Sequence, residues 1–170
     1  MPDVQECHEK LYREQHARIL RLCRLLLKNQ QEAEEVAQEV FLKLIQARAA
    51  QQRDSWDAWL TTVAVNACRD RQRSWWWRWR SESPLEVVDM QLPNRDTTPE
   101  EATVNREQRE LIWRFFRKLS TRQQEVFVLR YVEGWTDHQV ADMLGVTPGS
   151  VKQHLFRAVR YLRKALGEQR

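Results

Sequence analysis

Gln153, Phe156, Arg157 and Arg160 recur at helical spacing, opposite a stripe made by Val151, Leu155, Ala158, Val159, Leu162, Ala165 and Leu166. A helix of this kind buries one side and offers amide and guanidinium donors on the other. Set in a major groove, it can read base edges with Arg, Lys and Gln while further cations hold phosphates. The segment before it completes the pattern. Thr136 with Gln139 three residues on is a capping-box start, and Val140, Ala141 and Leu144 give a short helix one apolar side. Gly145 closes that helix, and Thr147 with Pro148 opens the next as N-cap and first helical residue. The spacing predicts a helix-turn-helix.

The charge distribution points to the same chemistry. The net charge of the 170-residue chain is only +4, but it is unevenly placed. Residues 66–80 hold five Arg and one Asp, and residues 147–170 six Lys or Arg and one Glu, whereas residues 82–110 hold eight acids and three Arg. Two basic patches flanking an acidic stretch suit a polyanion gripped at two places. Three cysteines, Cys7, Cys23 and Cys68, with no C-x-x-C pair, indicate neither a disulfide framework nor a zinc module. No apolar run approaches the roughly 20 residues that span a bilayer, so no membrane insertion and a cytoplasmic location are expected. No nucleophile–base pair, phosphate loop, metal motif or cofactor signature is visible, and no enzyme is expected.

The elements that must position these residues are helical, because glycine is scarce and alternating patterns are absent. A first helix is expected over residues 4–28, with Ile19, Leu22, Cys23 and Leu26 as its stripe. A second, over 31–47, has Ala33, Val36, Ala37, Val40, Phe41 and Leu44 on one face and Glu32, Glu35, Gln38, Glu39 and Lys43 on the other. Residues 47–54 form a polar loop. A third helix starts near Ser55 and carries Trp56, Trp59, Leu60, Val63, Ala64, Ala67 and Cys68 inward, with Asn66, Arg69, Asp70, Arg71 and Arg73 along its latter half.

Pro84 and Pro93 mark a flexible acidic linker over residues 81–98. Thr98, Pro99 and Glu101 start the next helix, whose core side is Leu111, Ile112, Phe115, Phe116 and Leu119. Ser120 and Gln123 cap another, which Val126, Phe127 and Tyr131 carry to Gly134. The expected architecture is therefore all-α, with an N-terminal helical bundle over 1–80, the linker, and a four-helix domain over 99–170 ending in the helix-turn-helix.

With these motifs in order, the chain resembles the extracytoplasmic-function sigma factors of the bacterial sigma-70 family. EAEEVAQEVFLKL at residues 32–44 and WLTTVAVNACRDRQR at 59–73 are similar to the family's region 2. LSTRQQEVFVLRYVEGWTDHQVADMLGVTPGSVKQHLFRAVRYLRKAL at 119–166 is similar to its region 4. The resemblance implies a dissociable subunit that brings core RNA polymerase to particular promoters and helps to melt them.

It also implies roles for single residues. Glu35, Gln38 and Glu39 lie in the helix that meets the polymerase clamp, with Phe41 turned to the core beneath them. The loop over 47–54 and Asn66 would take a flipped base of the −10 element, while Arg69, Arg71 and Arg73 hold the backbone around the melted strand. Lys152, Gln153, Phe156 and Arg157 occupy the positions that face the −35 duplex, where region 4 also meets the polymerase flap. An anti-sigma protein is an expected partner. SWWWRWR at residues 74–80 departs from the family pattern. Its four tryptophans would either bury against the linker or an inhibitory partner, or stack on single-stranded bases. A stand-alone helix-turn-helix regulator is the competing reading, and it leaves the Gln38–Glu39 face unused.

Overall fold

The computed structural model describes the backbone of residues 4–51, 53, 55–79 and 99–168, and the side chains of 9–51, 53, 55–74 and 106–168. The linker over 81–98, with Thr98 of the expected cap, and the side chains of Cys7, Trp75, Trp76, Trp77, Trp79, Pro99 and Glu101 lie outside the described residues. The chain divides into two compact units, Met1–Met90 and Gln91–Arg170. All regular structure among the described residues is helical.

In the first unit α1 (Val4–Leu26), α2 (Gln30–Ala50) and α3 (Asp57–Trp79) pack against one another in every pairing. Ile19, Leu22, Cys23, Val36, Val40, Leu60, Ala64 and Val65 are almost fully buried between them. Each Ile, Leu or Val among them stabilises the bundle by roughly 1.5–3 kcal/mol relative to exposure. Phe41 is turned inward, as its place in the α2 stripe requires.

Polar ties fix the register of the three helices. Arg18 donates from Nη1 to Thr61 Oγ1 at 2.8 Å, and Gln72 Nε2 to the Leu26 carbonyl at the end of α1 at 2.6 Å. Asn29 caps α2 by accepting from the Glu32 N–H at 3.2 Å.

Two local expectations change here. Helix α2 runs on to Ala50, so residues 47–50 are not part of a loop. Alanine has the highest helix propensity, and Arg48 in the last turn favours the negative helix end. The connection to α3 is thereby shortened to residues 51–56, of which Gln52 and Asp54 lie outside the described residues. Helix α3 also buries Thr61 and Val65, because it is wedged against two helices and needs a broader apolar arc than one stripe.

The second unit consists of α4 (Pro99–Phe116), α5 (Thr121–Phe127) continuing into a π-helical segment (Val128–Val132), α6 (Asp137–Leu144) and α7 (Pro148–Gly167). Helix α7 lies against α4, α5 and α6. Ser120 and Gln123 form a reciprocal capping box on α5, and Thr136 and Gln139 form another on α6. Gly145, at φ 66°, closes α6 in the left-handed conformation that glycine adopts without strain.

Ile112, expected in the core, is substantially exposed, while Phe116 and Leu119 are buried. Two polar residues take core positions instead. Gln124 Nε2 donates to the Phe116 and Leu119 carbonyls at 3.2 and 3.1 Å, satisfying the open end of α4. Glu125 is buried with Arg122 3.1 Å away. The π-helical turn widens the helix, so Val128 and Leu129 are buried and Tyr131 points to solvent.

Candidate nucleic-acid and polymerase interfaces

Helix α7 is built to present one face. Thr147 accepts from the Ser150 N–H at 3.1 Å, Pro148 supplies the pre-set first turn, and Val151, Ala158, Leu162 and Ala165 are buried against the rest of the unit. Lys152, Gln153, Phe156, Arg157 and Arg160 are consequently all exposed. Phe156 is 65% exposed, flanked by cations and an amide. An apolar ring held in water on a cationic face suits contact with a thymine methyl.

His154 sits half-buried beside this face. Its pKa is lowered from 6.5, first by burial and then by the positive charges of Arg122 and Arg157. The imidazole is therefore held neutral near pH 7, and Arg122 of α5 contributes its field to the same surface.

On α3 the structure sorts the expected −10 residues into two groups. Asn66, Arg69, Asp70 and Arg73 follow i, i+3, i+4 and i+7 and share one side of the helix. Asn66 and Arg73 are exposed, whereas Arg69 is half-buried and already engaged in a contact of its own.

Arg71 lies one residue beyond Asp70, about 100° further round the helix. It faces α2. Its Nη1 is 3.0 Å from Glu35 Oε2 and its Nη2 is 4.0 Å from Glu39 Oε2. Glu39 in turn has Lys43 Nζ at 2.9 Å from its other oxygen. Two of the expected polymerase-facing residues thus sit in one charge network with an expected DNA-facing residue. Gln38 is exposed beside them. Glu34, on the same helix, is taken by Arg24 of α1 at 3.4 Å.

Sequence reasoning missed this network because Arg71 and Glu35 are 36 residues apart. The Arg122–Glu125 pair, at i and i+3, was within reach of helical spacing. Among the described residues no group of three or more His, Cys, Asp or Glu could hold a metal ion. His16 packs against the Tyr12 and Phe41 rings, and Cys23 is a core residue.

A capped helix-turn-helix with an exposed cationic and amide face, carried on an all-α chain, defines a DNA-binding transcription factor. The particular class follows from comparison with known proteins. Residues 11–78 match Sigma-70 region 2, and residues 109–162 match Sigma-70, region 4. The ECF RNA polymerase sigma factor SigL of Mycobacterium tuberculosis is 33% identical over 166 residues, covering 93% of this chain and 88% of the relative. SigW of Bacillus subtilis is 30% identical over 167 residues, covering 88% and 83%. SigM of M. tuberculosis is 30% identical over 160 residues, covering 94% and 76%.

Among solved structures, the sigma factor RpoE of Bartonella quintana, crystallised with the anti-sigma factor NepR, shares the fold. Its TM-score is 0.78 at 18% identity, with 98% of this chain and all of that chain covered. CnrH, solved with the cytosolic domain of CnrY, has a TM-score of 0.66 at 19% identity, covering 98% and 91%. The chain belongs to the extracytoplasmic-function sigma factors of the sigma-70 family.

Proposed function

We propose that this sigma factor docks on the core polymerase clamp through the outward side of α2, with Glu35, Gln38 and Glu39 in the contact. The side of α3 that exposes Asn66 and Arg73, with the half-buried Arg69 between them, then receives the melted −10 strand. Helix α7 reads the −35 duplex through Lys152, Gln153, Phe156 and Arg157. The chain acts as an initiation factor in the cytoplasm, where core polymerase works, and catalyses no reaction itself. Among the described residues no helix is long and apolar enough to cross a membrane, in keeping with that place of action.

The observation that carries this reading is the joint exposure of the four α7 side chains opposite a buried stripe, on a helix fixed at its start by Thr147 and Pro148. An anti-sigma partner is part of the proposal, supported by the complex with the anti-sigma factor NepR in which RpoE was solved.

Run-off transcription with core polymerase on a genomic promoter library tests the whole. A shared pair of upstream elements should emerge among the selected promoters. Equal transcription with and without the protein would overturn the proposal. Glu39→Lys should weaken association with core polymerase, and unchanged association would remove Glu39 from the docking face.

A further inference from the structure

We infer that Arg71 is an intramolecular competitor for the carboxylates that α2 offers to polymerase. The inference rests on the proposed docking of α2.

Its first ground is geometric. Arg71 reaches across from α3 and spans Glu35 and Glu39, which stand one helical turn apart, at 3.0 and 4.0 Å. The guanidinium fork suits this bridging role, since its separate N–H groups can address two acceptors at once. The second ground is charge balance. Lys43 occupies the remaining oxygen of Glu39 at 2.9 Å, so two carboxylates face two cations and the quartet is neutral. The third ground is the placement of Arg71 on α3. It lies off the line of Asn66, Arg69, Asp70 and Arg73, and so belongs to the α2 surface more than to the DNA-facing one.

A cationic partner meeting Glu35 and Glu39 therefore finds neither carboxylate bare. It must take the place of Arg71, and association becomes an exchange of ion pairs. All the side chains in the quartet are between 32% and 49% exposed, so the exchange has a low barrier and a small equilibrium effect. Arg71 thus sets how much cation density a partner needs before docking. A partner with one isolated cation gains little, whereas one with two cations spaced to match Glu35 and Glu39 displaces both ends of the fork.

The test is a double-mutant cycle on the full-length protein, with binding to purified core polymerase measured at low and moderate salt. Arg71→Gln, which removes the competitor, should tighten association by about two- to five-fold at low salt. The gain should shrink as salt screens the carboxylates. Glu35→Gln with Glu39→Gln should weaken association, and adding Arg71→Gln to that double variant should give no further gain. Arg71→Lys, which keeps the charge without the fork, should lie between wild type and Arg71→Gln.

Weaker or unchanged core binding by Arg71→Gln, with the Glu35 and Glu39 variants still weakening it, would overturn the competitor role alone. Core binding indifferent to Glu35→Gln and Glu39→Gln would overturn the docking proposal and this inference together. A gain from Arg71→Gln that persists in the double-glutamine background would assign the effect to something other than competition for these carboxylates, and so overturn the inference.

Discussion

Arg130 Nε lies 2.7 Å from Asp137 Oδ1, joining the π-helical segment to the first turn of α6 across the Gly134 turn. The same guanidinium donates from Nη1 to the Trp135 carbonyl. Both side chains are largely sheltered, at 31% and 21% exposure. Asp137 also stands at the positive end of α6, where a carboxylate is favoured. The start of the helix-turn-helix is therefore tied to the π-helical segment by a charge pair.

Replacing Arg130 with Met keeps the stem and removes the fork. The variant should lose about 1–2 kcal/mol of unfolding free energy, because Asp137 is left part-buried without its partner. Urea denaturation followed by circular dichroism measures this, and a loss well below that range would mean that water replaces the guanidinium at little cost.

Thr136→Ala removes the hydroxyl that accepts from the Gln139 N–H at 3.2 Å. Stability should fall by about 1 kcal/mol, and Thr136→Ser should restore most of it, since either hydroxyl can cap. Thermal melts of the three proteins under identical conditions provide the comparison.

On the proposed role of α7, Gln153→Ala and Arg157→Ala should each reduce discrimination between matched and mismatched −35 duplex by about 1–3 kcal/mol. The fold of the unit should stay intact because both side chains are exposed, and core polymerase binding through the proposed α2 surface should stay as in the wild type. Competition binding by the holoenzyme on paired promoter variants measures the effect. Equal loss of core binding and selectivity would count against the assignment.

The neutral state of His154 has a pH consequence. Its folded pKa lies below 6.5, so the unfolded chain takes up the proton first as the pH falls. The neutral ring's contribution to stability is therefore present above 6.5 and is lost as the pH drops through the lowered folded value. Urea midpoints followed from about pH 7.5 to about pH 5.5 should decline less steeply for His154→Gln than for the wild type.

Burying Leu60 completely makes it a sensitive reporter of the first unit. Leu60→Ala should lower stability by about 2–5 kcal/mol through lost transfer energy and the cavity left between the three helices. Chemical denaturation of the full chain, monitored by circular dichroism, measures it.

Much of this protein is written in local sequence. The caps at Ser120, Thr136 and Thr147, the Gly145 closure and the buried stripes of α2 and α7 depend on neighbours within a few residues, where spacing alone decides which groups can meet. The outward side of α7 was legible for the same reason. Ile112 and Tyr131 were harder. Periodicity places an apolar residue on a stripe, but whether another helix covers that stripe is decided elsewhere in the chain, and at Tyr131 the π-helical turn also shifts the phase. The stop of α2 was misjudged because ARAA at residues 47–50 looks polar enough for a loop while its alanines favour continuing the helix.

The sequence by itself determined an all-α chain, a helix-turn-helix near its end and the side chains that face away from it, because these follow from periods and caps within single helices. Only the tertiary structure decided that Glu35 and Glu39 are not bare carboxylates and that Arg71 is the side chain that meets them. It also decided that Glu125 is buried, and that His154 on α7 feels the guanidinium of Arg122 from α5. The physical reason is that electrostatic partnership depends on distance through space. Packing α2 against α3 brings together charges that the chain separates by 36 residues.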